Sequence, residues 1–187
     1  MKVIILAAGV ASRLRPLTNN TPKCLLKVGD KTILGRTIDN IIANTDSEII
    51  IVTGYLENQI RQFVATEYPN LKVNYIYNDV YATTNNIYSL WLTKDSMHGE
   101  AMLLMDSDIV FDKKIIEKLL TSHYDNCLAL KRHDVGEEEI KVKVNKKGRV
   151  LEISKQVVPT SAVGLWWGKL AWYAGLLNAM RLRARAS

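Results

Sequence analysis

Runs of apolar, largely β-branched residues alternate with segments of helical spacing along most of this chain. That alternation restricts the fold more than any other feature. Lys2–Leu6, Glu48–Thr53 and Ala101–Met105 read as strands, and their near-continuous apolar character suits strands covered on both faces. Lys72–Tyr77 alternates and reads as a further strand, and Cys127–Lys131 as another. Between them, Thr32–Asn44 sets Ile33, Leu34, Ile38, Ile41 and Ile42 at helical spacing, the pattern of an amphipathic helix. Leu56–Thr66, Asn86–Lys94 and Lys113–Leu120 read as helices too, with Tyr68-Pro69-Asn70 as a break. Further on, Glu139–Val144 and Arg149–Ser154 flank Asn145-Lys146-Lys147-Gly148, which predicts a hairpin. Strand–helix alternation of this kind predicts an α/β sheet with helices on both faces. Ligands of such sheets gather at the carboxyl ends of the strands.

A chain of 187 residues is one domain with room for a sizeable core. Met1-Lys2 leads straight into a strand, which predicts no signal peptide, and no apolar run is long enough for a membrane span. Cys24 and Cys127 show no paired spacing; they read as reduced, buried thiols of a cytoplasmic protein. His98, His123 and His133 have no metal-ligand spacing. The net charge of +6 does not predict a nucleic-acid partner, because Lys and Arg are spread along the chain without a basic stripe interleaved with aromatics.

The first strand runs into Leu6-Ala7-Ala8-Gly9-Val10-Ala11-Ser12-Arg13-Leu14, and Pro22-Lys23 follows. A backbone with almost no side chains lets a polyphosphate approach its N–H groups. Arg13 adds a planar cationic fork and Lys23 a point charge, so the loop suits a nucleoside triphosphate. Neither G-x-x-x-x-G-K-[ST] nor G-x-G-x-x-G is present. At the end of the third apolar strand, Asp106-Ser107-Asp108 puts two carboxylates two residues apart, on one side of an extended chain. Such a pair suits Mg²⁺, which takes few protein ligands and completes its shell with water and phosphate. The same residues also suit an ordinary strand-ending turn.

Leu-Ala-Ala-Gly at 6–9, the Arg four residues after the Gly, Arg-Pro-Leu-Thr at 15–18 and Thr-Pro-Lys at 21–23 together resemble the signature of the nucleotidyltransferases that make activated sugars and alcohols. The resemblance implies a Rossmann-like mixed, mostly parallel sheet. It also implies nucleotide-binding roles for Leu6, Ala7, Ala8, Gly9, Arg13 and Lys23, Asp108 as the metal ligand proper, and Asp106 beside it. Ala11 stands where many members carry a second glycine, a difference that matters only if the position needs a positive φ.

Asn78-Asp79-Val80-Tyr81-Ala82-Thr83-Thr84-Asn85-Asn86-Ile87-Tyr88-Ser89-Leu90 is similar to one branch of that family, the phosphocholine and 2-aminoethylphosphonate cytidylyltransferases. Amide side chains carry both donors and acceptors and suit the edge of cytosine. Asn85, Asn86 and Ser89 are therefore candidates for the nucleotide pocket, though Asn85 or Asn86 equally suits a helix N-cap. Lys155, after Glu152-Ile153-Ser154, resembles the family lysine that binds the acceptor phosphate. The resemblance implies transfer of CMP from CTP to a small phosphorylated acceptor such as phosphocholine, with loss of pyrophosphate. A sugar-1-phosphate nucleotidyltransferase, a metal-dependent glycosyltransferase and a catalytically impaired nucleotide-binding protein stay open as alternatives.

The resemblance covers residues 1–165, a nucleotidyltransferase domain; residues 166–187 form an atypical basic, aromatic tail. Glu152 is the last acidic residue, and Trp166, Trp167, Trp172 and Tyr173 crowd one short stretch. The tail reads as an aromatic box for a cationic headgroup, as a helix with one apolar and one basic face, or as a truncated or frame-shifted reading frame.

Overall fold

The computed structural model describes residues 1–97, 99–130 and 140–158, and the backbone of 164–165 and 170–173. His98, His133, the ends of the Cys127–Lys131 and Glu139–Val144 segments, and most of the tail, with Trp166 and Trp167, lie outside the described residues.

β1 (Lys2–Ala7) is the centre of the molecule. It pairs in parallel with β4 (Glu48–Thr53) on one side and with β6 (Met102–Asp106) on the other. β5 (Val73–Tyr77) extends the sheet in parallel beyond β4. Successive side chains of these strands face opposite sides, and both sides are apolar. Val3, Ile5, Ile49, Ile51, Leu103 and Met105 share one core with Leu34, Ile38 and Ile41 of α1 (Ile33–Ile42), Ile60 and Val64 of α2 (Glu57–Glu67), and Ile116 and Leu119 of α5 (Lys114–Leu120). Ile4, Leu6, Ile50, Val52, Met102 and Leu104 form the other core, with Leu90 of α3 (Asn86–Leu92) and Met97 of α4 (Lys94–Met97). Helices therefore cover both faces, as the alternation predicts. Burying one such aliphatic side chain stabilises the fold by about 1.5–3 kcal/mol, so the two cores together hold the sheet between its helices.

The six-stranded sheet runs β5-β4-β1-β6-β11-β7. β7 (Asn126–Leu128) is shorter than the sequence suggests, and Cys127 on it is half-buried rather than buried. β11 (Leu170–Tyr173) lies antiparallel between β6 and β7, which makes the sheet mixed. For these four tail residues the helical reading is thus corrected to a strand. The gain is the backbone of β6, whose second edge is otherwise unpaired.

β8 (Lys141–Val144), β9 (Val150–Ser154) and β10 (Gly164–Leu165) form a small antiparallel sheet. The β8–β9 turn is the expected hairpin: Asn145 Oδ1 accepts from the N–H groups of Lys147 and Arg149, and Gly148 takes φ +79°. Two-residue strands β2 (Lys27–Val28) and β3 (Lys31–Thr32) make a second hairpin about Gly29, at φ +69°. Thr32 then caps α1 by accepting from the Gly35 N–H at 3.0 Å.

Strand order reverses at β1, whose chain neighbours in the sheet lie on opposite sides. A crevice forms outside the carboxyl ends there. Three backbone bonds stitch that edge together: Ser107 N–H to the Leu6 carbonyl at 3.1 Å, Tyr55 N–H to the Ala8 carbonyl at 3.1 Å, and Asn78 N–H to the Thr53 carbonyl at 2.8 Å. Gly54 permits the second. A Cβ on it would stand 2.8 Å from the Ala8 carbonyl oxygen and 2.7 Å from Tyr81 Cβ. Overpacking of this kind costs roughly 1–3 kcal/mol. Gly54→Ala should lower unfolding stability by about that amount in urea titration; wild-type stability would show that the edge yields without cost.

Candidate active site

At the reversal point lies a polar cavity of about 190 Å³, lined by Leu6, Ala7, Gly9, Ala11, Pro22, Lys23, Cys24, Asn86, Asp106, Ser107 and Asp108. One wall is the side-chain-poor loop after β1, and a Cβ added to Gly9 would meet nothing within 4 Å. The opposite wall is the end of β6. Asp106 is its last residue, paired in register with Leu6. Ser107 turns the chain, and Asp108 follows.

Lys23 and Asp108, far apart in sequence, meet here: Lys23 Nζ donates to Asp108 Oδ2 at 2.6 Å, with about a third of each side chain exposed. Lys23 opens a single 3₁₀ turn, Lys23–Leu25, behind the buried Pro22. Asp106 Oδ1 accepts from Asn86 Nδ2 at 3.1 Å. Among the described residues no group of three or more His, Cys, Asp and Glu side chains gathers. The donor set is two carboxylates at one strand end, one of them already carrying a cationic group. That chemistry fits a hard cation such as Mg²⁺, which needs few protein ligands when phosphates supply the others.

Gly54 and Tyr55 anchor the loop that carries the other sequence candidates. Tyr55 Oη lies 2.6 Å from the Asn19 carbonyl and 3.1 Å from that of Thr18, and Gln59 Nε2 donates to the Asn20 carbonyl at 3.0 Å. Ala11 sits at φ +52°, ψ +43°. The left-handed conformation that would make its difference from glycine matter is thus the one it adopts. Its carbonyl accepts from Leu14 N–H at 3.0 Å and Thr18 Oγ1 at 2.9 Å, which holds the strained residue in place. Arg13 follows on the 3₁₀ turn Ser12–Leu14 and is exposed.

Of the sequence candidates, the fold brings Leu6, Ala7, Gly9, Lys23, Asn86, Asp106 and Asp108 to one cavity. Ala8, Arg13, Asn85, Ser89 and Lys155 are not among the residues that line it. The Ala8 side chain is buried and its carbonyl engaged. Asn85 spends its side-chain oxygen capping α3, accepting from Ile87 and Tyr88 N–H at 2.9 and 3.4 Å. Ser89 is buried and accepts from Asn78 Nδ2 at 3.1 Å. Lys155 is exposed just beyond β9.

Cys24 and Ser107 line the cavity without having been singled out in the sequence; their adjacency to Lys23 and to the two aspartates was the available signal. Burial pushes the Cys24 thiol up from its ordinary 9.0 to about 12, and the nearby Asp108 carboxylate adds to the shift. A thiol so raised is neutral and inert at physiological pH.

The family model for Nucleotidyl transferase matches residues 2–136. The chain is 38% identical over 121 residues to the choline-phosphate cytidylyltransferase of Streptococcus pneumoniae, covering 65% of this chain and 50% of the relative. It is 31% identical over 113 residues to the 2-aminoethylphosphonate cytidylyltransferase of Lancefieldella rimae, covering 60% of this chain and 45% of the relative. The chain thus spans about half the length of these curated relatives. The inositol-1-phosphate CTP transferase of T. maritima shares the fold, with a TM-score of 0.80 at 19% identity over 96% of this chain and 73% of that one.

Two outcomes test this local geometry. Ala11→Gly relieves a left-handed alanine at roughly 1–2 kcal/mol and loosens the unfolded chain by about 0.4–1 kcal/mol. It should therefore raise unfolding stability by about 0.5–1 kcal/mol; a fall would show that the conformation is unstrained. Cys24 should resist iodoacetamide in the native protein at pH 8 while half-buried Cys127 reacts. As pH climbs past 9.0, the thiol of the unfolded chain ionises while that of the native chain stays protonated up to about 12. The contribution of this group to stability is therefore full below that range and falls with rising pH through it. Fast native-state labelling of Cys24 would contradict its burial.

Proposed function

Because the chain belongs to the nucleotidyl transferase family, we propose that it transfers the CMP group of CTP to a small phosphorylated acceptor such as phosphocholine, releasing pyrophosphate. The observation that carries this reading is the pairing of Lys23 with Asp108 inside a cavity walled by the side-chain-poor loop after β1. The cytidine preference draws support from the two cytidylyltransferases the chain resembles.

Chemistry follows from charge. The acceptor phosphate is already anionic near neutral pH, so its attack on the α-phosphorus needs no general base; the obstacle is repulsion between two anions. Catalysis then consists of alignment and charge neutralisation. Backbone N–H groups around Gly9 receive the phosphates. Lys23 trades its carboxylate partner for the triphosphate, and Arg13, exposed on the adjacent turn, swings over the outer phosphates. Asp108, with Asp106 beside it, would hold Mg²⁺, which would supply positive charge where negative charge builds up on the phosphoryl oxygens and the departing pyrophosphate. Asn86 keeps Asp106 oriented through its Nδ2 donor. Lys155 holds the acceptor phosphate at the edge of the smaller sheet.

The test is pyrophosphate release across CTP, UTP, ATP and GTP with phosphocholine, 2-aminoethylphosphonate and a sugar 1-phosphate. CTP with one of the first two acceptors should dominate; dominance of a sugar 1-phosphate would replace this reading with the sugar one. Asp108→Asn should abolish divalent-dependent turnover, because a neutral amide is a poor Mg²⁺ ligand. The same change should leave CTP binding in EDTA at least as tight as wild type, since it removes a negative charge facing the phosphates and frees Lys23. Weaker binding in EDTA would mean that Asp108 contacts the nucleotide itself.

A further inference from the structure

Asn78 is the first residue beyond β5. It is a polar residue only 1% exposed, and its backbone N–H and both polar atoms of its side chain are engaged. Its N–H holds the end of β4, donating to the Thr53 carbonyl at 2.8 Å. Oδ1 accepts from the Val80 N–H at 3.1 Å. Nδ2 donates to Thr84 Oγ1 at 3.0 Å and to Ser89 Oγ at 3.1 Å.

Backbone and side chain of one residue thus tie together a strand end, a surface loop and a helix. The loop is folded about the same centre. Thr84 Oγ1 passes its own hydrogen to the Val80 carbonyl at 2.9 Å, and the N–H groups of Thr83 and Thr84 reach that carbonyl at 3.1 Å. Tyr81 packs on Gly54 and Tyr55, next to the Ala8 carbonyl. Asn85 caps α3, and Asn86, the first residue of the helix, reaches into the cavity to Asp106. The only contact this segment makes with the cavity is therefore Asn86, and Asn86 is placed by a chain of bonds that starts at Asn78.

We propose that Asn78 is a positioning residue for nucleotide recognition, fixing the 79–85 loop and α3 as one unit so that Asn86 meets the cavity at a set place. The proposal rests on the reading of that cavity as the nucleotide site. A packing role alone would ask for an apolar side chain of the same size. Asn78 instead serves three partners, Ser89 Oγ, Thr84 Oγ1 and the Val80 N–H at the start of the loop, none of which an apolar side chain could engage. Loss of such a hub frees the loop rather than emptying a core.

Calorimetric titration of the full chain with CTP, UTP, ATP and GTP, beside thermal melts, tests it. Asn78→Ala should weaken binding of the tightest nucleotide by about tenfold or more and narrow the spread among the four, on the scale of a lost buried hydrogen-bond partner. Thr84→Val removes the hydroxyl that accepts from Asn78 and donates to the Val80 carbonyl, and should act in the same direction by about threefold. The double variant should be no weaker than Asn78→Ala alone, because both cut one network. Affinity is a property of the folded fraction, so a merely structural Asn78 would lower the melting temperature and leave the affinities untouched; that result overturns the proposal. If Asn78→Ala does not fold, Thr84→Val decides by itself, with wild-type affinities as the overturning result. A wild type without preference for CTP refutes the cytidine reading and leaves the Asn78 comparison standing on whichever nucleotide binds tightest. A wild type that binds no nucleotide refutes the site, and the proposal falls with it.

Discussion

Everything at the functional end of this molecule hangs on the last carbonyls of its central strand. The Leu6 carbonyl accepts from Ser107 on one side, and the Ala8 carbonyl from Tyr55 on the other. Those bonds bring the chain after β6 and the chain after β4 onto the loop after β1. The second demands that nothing bulky intervene, which is why Gly54 faces the Ala8 carbonyl. On the proposed reading, the side-chain-poor loop that would receive phosphate is also the place where three strand ends converge.

Electrostatics then complete what the backbone begins. Lys23 and Asp108 neutralise each other at 2.6 Å, in a cavity partly shielded from solvent, where charges left single would be costly. The pair cancels one positive charge against one negative charge, while the second carboxylate of the cavity, Asp106, accepts from the neutral Asn86 amide. On the proposed reading, the two members of the pair are the cation for phosphate and the carboxylate for a metal, stored side by side within reach of both.

The sheet was legible in the sequence because β1, β4 and β6 are buried on both faces and therefore read as apolar runs, and α1 and α2 because their buried residues repeat at helical spacing. The lining of the cavity was legible where chemistry and chain position coincide, at Gly9, Lys23, Asp106 and Asp108. It was less so between 78 and 89, where one pattern serves two purposes. Asn85 satisfies otherwise unpaired N–H groups of α3, a local need that takes its side chain first. Ser89 turns inward to Asn78, which opens the same segment but whose near-complete burial no sequence pattern marks. The β2–β3 hairpin, with strands two residues long, carries no periodicity to detect. β11 escaped for another reason: its place in the sheet is set by partners far away in the chain, β6 and β7, and not by its own composition.

That distant pairing has a consequence for how the protein is made. β6 carries Asp106 at its tip, and its outer edge is closed by Leu170–Tyr173, which leave the ribosome long after it. Through that interval of translation the nascent chain holds β1, β4, β5 and β6 with one backbone edge open and β7 without its neighbour. An open edge is a template for pairing with another chain, and non-local pairing is the slow part of sheet formation. The strand that carries Asp106 therefore gains its second neighbour late, and its open edge closes only once residues 170–173 have been made.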